Sequence, residues 1–319
     1  MPSLTVPLVP PAPETKEAPR AQLAVFFYLI GLGYSKEQME RMFDIADVPF
    51  SQVGDQEKEK YLASMKQAGS FQGYKLRQFW HIDNGVLDQV ETYNIHRDVN
   101  RRAHPEALRP LLPEIDQFAR HMNVLSPILK LMALGLELPE ETLLDMHRWD
   151  GDSETYLFYM RYHPRKNNVW LKGHNDIGTI TLLYSQPVSA LQILARDGTW
   201  KWIKHIENAI VVNSGDAMDF LSGGLYRATI HRQPPPNQLG VIYFCMANDD
   251  VKLAPLVASP VLQGLGIKRR FERDEDAPVI AEWRKARTAA YGQSVLSKST
   301  EEGEVEQEVI QGVVVKHNL

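Results

Sequence analysis

Hydrophobic positions change their spacing once along this chain, near Trp149. Before it, most apolar residues recur at helical intervals. Ser35 followed by Gln38 makes a capping-box pattern, and Met39, Met42, Phe43 and Ala46 then share one helical face. Ile115, Phe118, Ala119, Met122, Leu125, Leu129 and Met132 carry the same pattern through 111–136, where Pro127 is expected to kink or divide the helix. Residues 57–65 suggest a short helix, and Pro139 opens another at about Glu140. The run AVFFYLI at 24–30 is different: it is continuous, ends near Gly31 and Gly33, and reads as a buried strand.

After Trp149, short β-rich runs follow one another: 156–162, 170–173, 179–184, 190–195, 199–204, 209–213, 217–221, 228–232 and 240–246. Asp197-Gly198 and Gly223-Gly224 mark turns between them. Many short strands at this spacing predict a sandwich or barrel. Residues 272–291 return to a helical pattern, and 301–308 is acidic, as in a solvated or disordered segment. No internal repeat is visible. The expected plan is an extended proline-rich arm (1–20), a helical N-terminal region (21–150), a β core (151–250), a helical C-terminal cover (251–296) and a flexible tail (297–319). The fold class is therefore mainly β with flanking helices.

Composition narrows the function only by exclusion. A net charge of −5 over 319 residues gives no electrostatic reason to expect nucleic acid as a partner. One cysteine, Cys245, excludes an intrachain disulfide, fits a reducing compartment and sits in an apolar run as a small core residue. No apolar stretch approaches the ~18 residues of a membrane span, and the N-terminus lacks a signal-peptide pattern. A cytoplasmic location is the default expectation, with no membrane partner and no inference about oligomeric state.

Candidate chemistry lies in the β core. Residues two apart on a strand point to the same side, so His174 and Asp176 can aim an imidazole and a carboxylate at one point, with Asn175 facing away. His231, on a later strand, can bring a second imidazole there. Two histidines and one carboxylate on one face of a metal make the ligand set of non-haem Fe(II) oxygenases. The same ligands also accept zinc, and a single buried histidine is more often a hydrogen-bonded core residue than a ligand. Gly173 permits close backbone approach before His174. Asp176, among apolar strands, would be costly without a cation.

The blocks GHNDIGTITLL, SALQIL, DGTWKWI and VVNSGDAMDFLSGGLYRATIHR, in this order and spacing, resemble the core of the Fe(II)- and 2-oxoglutarate-dependent dioxygenases of the isopenicillin N synthase type. FFYL, Gln72-Gly73-Tyr74-Lys75 and Glu91-Thr92-Tyr93-Asn94 are similar to the N-terminal portion of the family, especially of its fungal-type members, and the resemblance covers most of 24–291. It implies a double-stranded β-helix (jelly-roll) core, Fe(2+) held by His174, Asp176 and His231, and 2-oxoglutarate and O2 as cosubstrates. The implied reaction is oxidation of a C–H bond in a small organic, secondary-metabolite-like substrate. Asn213-Ser214-Gly215-Asp216 resembles the family's structural turn. Trp200 and Trp202 are expected in the core rather than lining a pocket, Phe220 and Leu221 are candidates for the pocket wall, and Arg269, Arg270 and Arg273 read as a solvated face.

One departure stands out. Where the family carries an arginine and then a serine to grip the far carboxylate of 2-oxoglutarate, this chain has Gln238 and Gly240. A guanidinium fork suits a carboxylate, and a lost charged hydrogen bond costs about 1.5–3 kcal/mol, or roughly one to two powers of ten in affinity. Three readings stay open. Another cation substitutes, Arg227 or Arg161 being candidates, although Arg227 lies about 13 Å from His231 along a strand, and Arg232 is expected to face away. The enzyme is an oxidase that does not use 2-oxoglutarate. Or the chain is a shortened family member that keeps fold and metal site but binds 2-oxoglutarate poorly.

Overall fold

Successive side chains of a strand point to opposite faces, and YLFYMRY at Tyr156–Tyr162 carries large apolar groups at both parities. Leu157 and Tyr159 enter one core with Ile45 of the helix Lys36–Ser51 and Phe118 of the helix Leu112–His121. Tyr156, Phe158, Met160 and Tyr162 enter a second with Trp80, Ile242 and Met246. A strand buried on both faces accounts for the unbroken apolar run. The computed structural model describes residues 23–24, 26–31, 33–83, 86–122, 125–163, 173–185, 191–195, 197–232, 239–267, 269–291, 297–298 and 305–318.

Two sheets carry the interior. Their strands, in chain order, are β1 (Phe26–Leu29), β2 (Gly73–Lys75), β3 (Val90–His96), β4 (Tyr156–Tyr162), β5 (Ile180–Tyr184), β6 (Gln192–Leu194), β7 (Trp200–Trp202), β8 (Ile210–Ser214), β9 (His231–Arg232) and β10 (Leu239–Cys245). The larger sheet has the order β1-β8-β5-β10-β4-β3-β2 with every neighbour antiparallel, and the smaller is β7-β6-β9. The helices Lys36–Ser51, Leu112–His121 and Leu125–Gly135 pack on one face of the larger sheet, and the second core lies on its other face. Cys245 is buried in the helix-side core, as expected, and burial pushes its thiol up to about 12.

Several expectations need correction. The N-terminal region is not helical throughout, because β1, β2 and β3 join the larger sheet. The segment 111–136 is divided, one of the two expected alternatives, into Leu112–His121 and Leu125–Gly135, and the correction is only that Pro127 falls in the second helix's first turn, where its missing N–H has no intrahelical acceptor to lose. Residues 217–221 are not a strand. They belong to the helix Asp216–Leu221, whose first turn carries Asp216 and Asp219, charges that suit a helix N-terminus. Helix in 272–291 is confined to Ile280–Ala290, since Pro278 and the turn Asp274–Asp276 precede it. Trp202 is 56% exposed rather than packed, and Trp200 lies under the Arg232 guanidinium at 4.0 Å. The expected arm 1–20, Gln238, 170–172 and residue 190 lie outside the described residues.

The expected tail is also folded where it is described. Strands β11 (Val305–Ile310) and β12 (Val313–Asn318) form a hairpin. Its turn uses Gln311 at φ 48° and Gly312 at φ 81°, the double left-handed conformation favoured by two-residue hairpins. Ile310, Val313 and Val315 fall on one face and pack with Trp283 and Ile280. The acidic run concealed this apolar alternation.

His147 ties the helix side to the site side. Its Nδ1–H donates to the Leu143 carbonyl at 2.6 Å, and its Nε2 accepts from the Thr179 hydroxyl at 2.9 Å. Burial pushes its pKa down to about 4. An unfolded chain takes up this proton near pH 6.5, so the contribution is complete above that pH and lost as the pH falls from about 6.5 towards 4. Urea unfolding is expected to show a stability loss on the order of 3 kcal/mol from this group across that window. His147→Gln should flatten the acid limb, and an unchanged slope would show that His147 is not its source.

Candidate metal centre

Gly173 and His174 lie alongside β9. His174 and His231 exchange both backbone hydrogen bonds, N–H to carbonyl, at 3.0 and 3.1 Å. This pairing brings the imidazole rings to 4.7 Å between centroids. Asp176, two residues on and just before the bend at 177–179, is brought to the same point. One potential ligand atom from each of His174, Asp176 and His231 lies within 4.8 Å of the other two. The convergence expected from the sequence is therefore present.

Each described partner fixes one donor atom. His231 Nδ1–H donates to the Thr229 carbonyl at 3.0 Å, which leaves the Nε2 lone pair facing Asp176 Oδ1 at 3.8 Å. Asp176 Oδ2 accepts from Thr181 Oγ1 at 2.6 Å and from Asn213 Nδ2 at 2.8 Å. The carboxylate thus offers Oδ1 to a cation while Oδ2 is held. Burial alone would raise the Asp176 pKa. The imidazoles of His231 and His174 and the bonds from Thr181 and Asn213 outweigh it and hold the group below the ordinary carboxylate value.

The loop carrying Asp176 is clamped through its backbone. The Asp216 N–H donates to the Asp176 carbonyl at 2.8 Å, the Gly215 N–H to Thr179 at 3.1 Å, and the Thr179 N–H to Cys245 at 2.8 Å. A Cβ on Gly215 would lie 2.4 Å from the Gly178 carbonyl oxygen and 2.7 Å from that of Asp176, so only glycine permits this approach. Arg287 closes the clamp. Its Nε donates to Asp216 Oδ2 at 3.1 Å and its Nη2 to the Asn175 carbonyl at 3.3 Å.

Beside His174 and Asp176 lies an aromatic cavity whose wall includes Trp80, Tyr156, Phe158, Phe244 and Tyr291. Tyr291 meets Trp80 edge-on at 4.9 Å and His174 at 5.7 Å between centroids. Behind Trp80, the buried Lys75 ammonium sits 3.9 Å from the ring centroid and bonds to Asp88.

Residues 152–246 match the family model of the 2OG-Fe(II) oxygenase superfamily, and residues 23–114 match that of the non-haem dioxygenase in morphine synthesis N-terminal. The chain belongs to the 2OG-Fe(II) oxygenase superfamily. It is 33% identical over 164 residues to the 2-oxoglutarate-dependent dioxygenase FG08081 of Gibberella zeae, covering 48% of this chain and 49% of that protein. It is 27% identical over 218 residues to the flavonol synthase/flavanone 3-hydroxylase of Petunia hybrida, covering 65% and 60%. The chain thus spans about half to three fifths of the length of these relatives. Among solved structures, a full-length Neurospora crassa protein in complex with alpha-KG and 5-formyluracil superposes with a TM-score of 0.67 at 21% identity, over 84% of this chain and 87% of that one. JOX2 in complex with 2OG, Fe and JA superposes at 0.65 and 21% identity, over 82% and 77%. The fold of this chain, mainly β sheets with helices, is similar to that of these structures.

The superfamily member's other candidates are dispersed. Arg161 faces the helix side of β4, ion-paired with Asp47 and 5.5 Å from the Phe50 ring, because odd positions of that strand point away from the aromatic cavity. Arg227 is exposed and lines a different cavity. Neither side chain lines the aromatic cavity, which corrects both as candidate anchors. Gly240 pairs with Met160, and a Cβ there would meet Met160 Cβ at an ordinary 3.6 Å. Arg270 is not simply solvated. It bonds to the buried Asp219 at 2.7 Å, while Arg269 and Arg273 bond to Asp274 and Asp276.

Sequence reasoning missed Thr181, Asn213 and Arg287. A signal existed for the first: Thr181 is the one polar residue in ITLLY, at the parity opposite to Ile180 and Leu182. Asn213 lies opposite Thr181 across β8 and β5. Asn213→Ala is expected to weaken divalent-metal binding by about tenfold or more, the usual effect of losing a bond that orients a ligand. Calorimetric titration with Co(II) checks this, and unchanged affinity would show that the Thr181 bond suffices.

Proposed function

We propose that this chain is a non-haem Fe(II)- and 2-oxoglutarate-dependent dioxygenase that oxidises a C–H bond of a small organic substrate. We further infer that its two sheets form a double-stranded β-helix, or jelly-roll, core. The carrying observation is the convergence of His174, Asp176 and His231 in a member of this superfamily. Two imidazole nitrogens and one carboxylate oxygen on one side suit Fe(II) and leave the opposite side open for small molecules. When bound, the iron supplies the redox chemistry by which 2-oxoglutarate and O2 are consumed as the substrate is oxidised.

The chain's own residues do the rest. Thr229, Thr181 and Asn213 keep the donor atoms aimed. The aromatic wall of Trp80, Phe158, Phe244 and Tyr291 keeps water from the reacting groups. Gly240 leaves room beside Met160 on the cavity side of β10. Gln238 and Gly240 are the proposed positions for the far carboxylate of 2-oxoglutarate, with a neutral amide in place of the expected guanidinium. Names of relatives that include 2-oxoglutarate support the cosubstrate. No helix among the described residues is long and apolar enough to cross a membrane, and a cytoplasmic location is proposed with the function.

Adding Fe(II) and 2-oxoglutarate without oxygen should produce a visible metal-to-ligand charge-transfer band, and admitting oxygen should then yield succinate. Bound iron without the band would sink the 2-oxoglutarate assignment. His174→Ala should abolish iron binding, and unchanged iron content would refute the ligand set. Gln238→Arg is expected to tighten 2-oxoglutarate binding about tenfold, measured as the concentration that half-develops the band.

A further inference from the structure

One wall of the aromatic cavity, Trp80, comes from the excursion of the chain between β2 and β3. Asp88 pins the base of that excursion. The Gln78 N–H donates to the Asp88 carbonyl at 2.9 Å, and the Asp88 N–H donates to the Trp80 carbonyl at 2.9 Å. The Asp88 carboxylate accepts the N–H groups of Phe79 at 3.0 Å, Trp80 at 2.6 Å and Val90 at 2.8 Å. Three backbone donors therefore already serve this buried carboxylate. Lys75 adds a fourth, in an ion pair whose two side chains are both 0% exposed.

A buried ion pair is weak evidence for stability, because the cost of taking both charges out of water rivals their attraction. The second neighbour of this ammonium gives it a different use. Lys75 Nζ lies 3.9 Å from the Trp80 ring centroid, where the negative face of an indole attracts a desolvated cation. Lys75 belongs to β2 and pairs with Thr92 of β3, so the ammonium is anchored to the larger sheet. Trp80 lies outside that sheet. Its indole meets Tyr291 edge-on, with centroids 4.9 Å apart and planes at 86°. Tyr291 follows the helix Ile280–Ala290 and meets His174 at 5.7 Å and 64°. Lys75, Trp80, Tyr291 and His174 thus form a continuous row of contacts from the sheet to a proposed metal ligand.

We propose that Lys75 is a positioning residue for the cavity beside His174 and Asp176. Acting through the face of Trp80, it sets where that wall stands relative to the metal centre, and so the shape of the space next to His174. The inference deepens the oxygenase reading and rests on it for the use of the cavity, while the contacts between Lys75, Trp80 and Tyr291 are independent of it.

The test compares proton–nitrogen correlation spectra of the full chain loaded with Zn(II) and with Co(II). The indole signals of Trp80 and Trp283 are identified by their loss in Trp80→Phe and Trp283→Phe. The difference between the two metals is a pseudocontact shift, which reads where each indole N–H lies relative to the metal. Lys75→Met removes the cation, and Lys75→Met with Asp88→Asn also leaves no carboxylate buried alone. Both variants should change the pseudocontact shift of Trp80 and leave that of Trp283 in place. An unchanged Trp80 shift in both would overturn the proposal. Equal changes at the two indoles would also overturn it, because they mark a general loosening and not an effect through Trp80. If the wild-type chain takes up neither metal, the oxygenase reading fails instead, and the nuclear Overhauser contact between the Trp80 and Tyr291 rings decides the role of Lys75. Its loss in the variants is expected, and its persistence in both would overturn that role.

Discussion

An ionised carboxylate taken out of water must be matched by donors or by a cation, and in the buried Asp176 one oxygen is matched by donors while the other is left for a cation. Oδ2 is held by Thr181 and Asn213, and Oδ1 faces an imidazole nitrogen. Much of the surrounding architecture follows from supplying those partners. β5 and β8 must be neighbours, with Thr181 opposite Asn213. A one-residue slip in that register would turn Asn213 to the other face. The Asp176 carbonyl must also reach the Asp216 N–H, which requires residue 215 to be without a side chain.

The larger sheet separates two tasks. Its helix-side face is an apolar core that holds the strands in place. Its other face carries the aromatic residues that line the cavity beside His174 and Asp176. His147 and Arg287 join these parts. The first is neutral and buried, bonding a helix-side carbonyl to Thr179. The second is charged and buried, linking the C-terminal helix to Asp216 and to the Asn175 carbonyl. The C-terminal segment is thus part of the site's framework, and the hairpin β11–β12 covers the helix that bears Arg287.

Legibility in the sequence followed the range of the interaction. The capping box at Ser35 and Gln38 is present because both bonds lie within one turn. The turn at Asp197-Gly198 joins β6 and β7, with Gly198 at φ 76°. The helix Asp216–Leu221 was mistaken for a strand because its six residues are too few to show a period, and its placement depends on contacts to residues 176–179. The hairpin was hidden because alternation at Ile310, Val313 and Val315 acquires meaning only against Trp283.

The sequence by itself determined the ligand types and their grouping: a histidine and an aspartate two residues apart, a second histidine within a β-rich block, and the family motifs around them. Those are local features, carried by side-chain identity and spacing. The tertiary structure alone decided which charges and donors serve the site. Arg161 and Arg227 differ from Arg287 in position, not in chemistry. Strand parity sends Arg161 to Asp47 and the helices, Arg227 lines a different cavity, and helix packing brings Arg287 to Asp216 from 71 residues away. Which partner a long, flexible cation meets is set by register and packing between distant segments, and no local pattern encodes that choice.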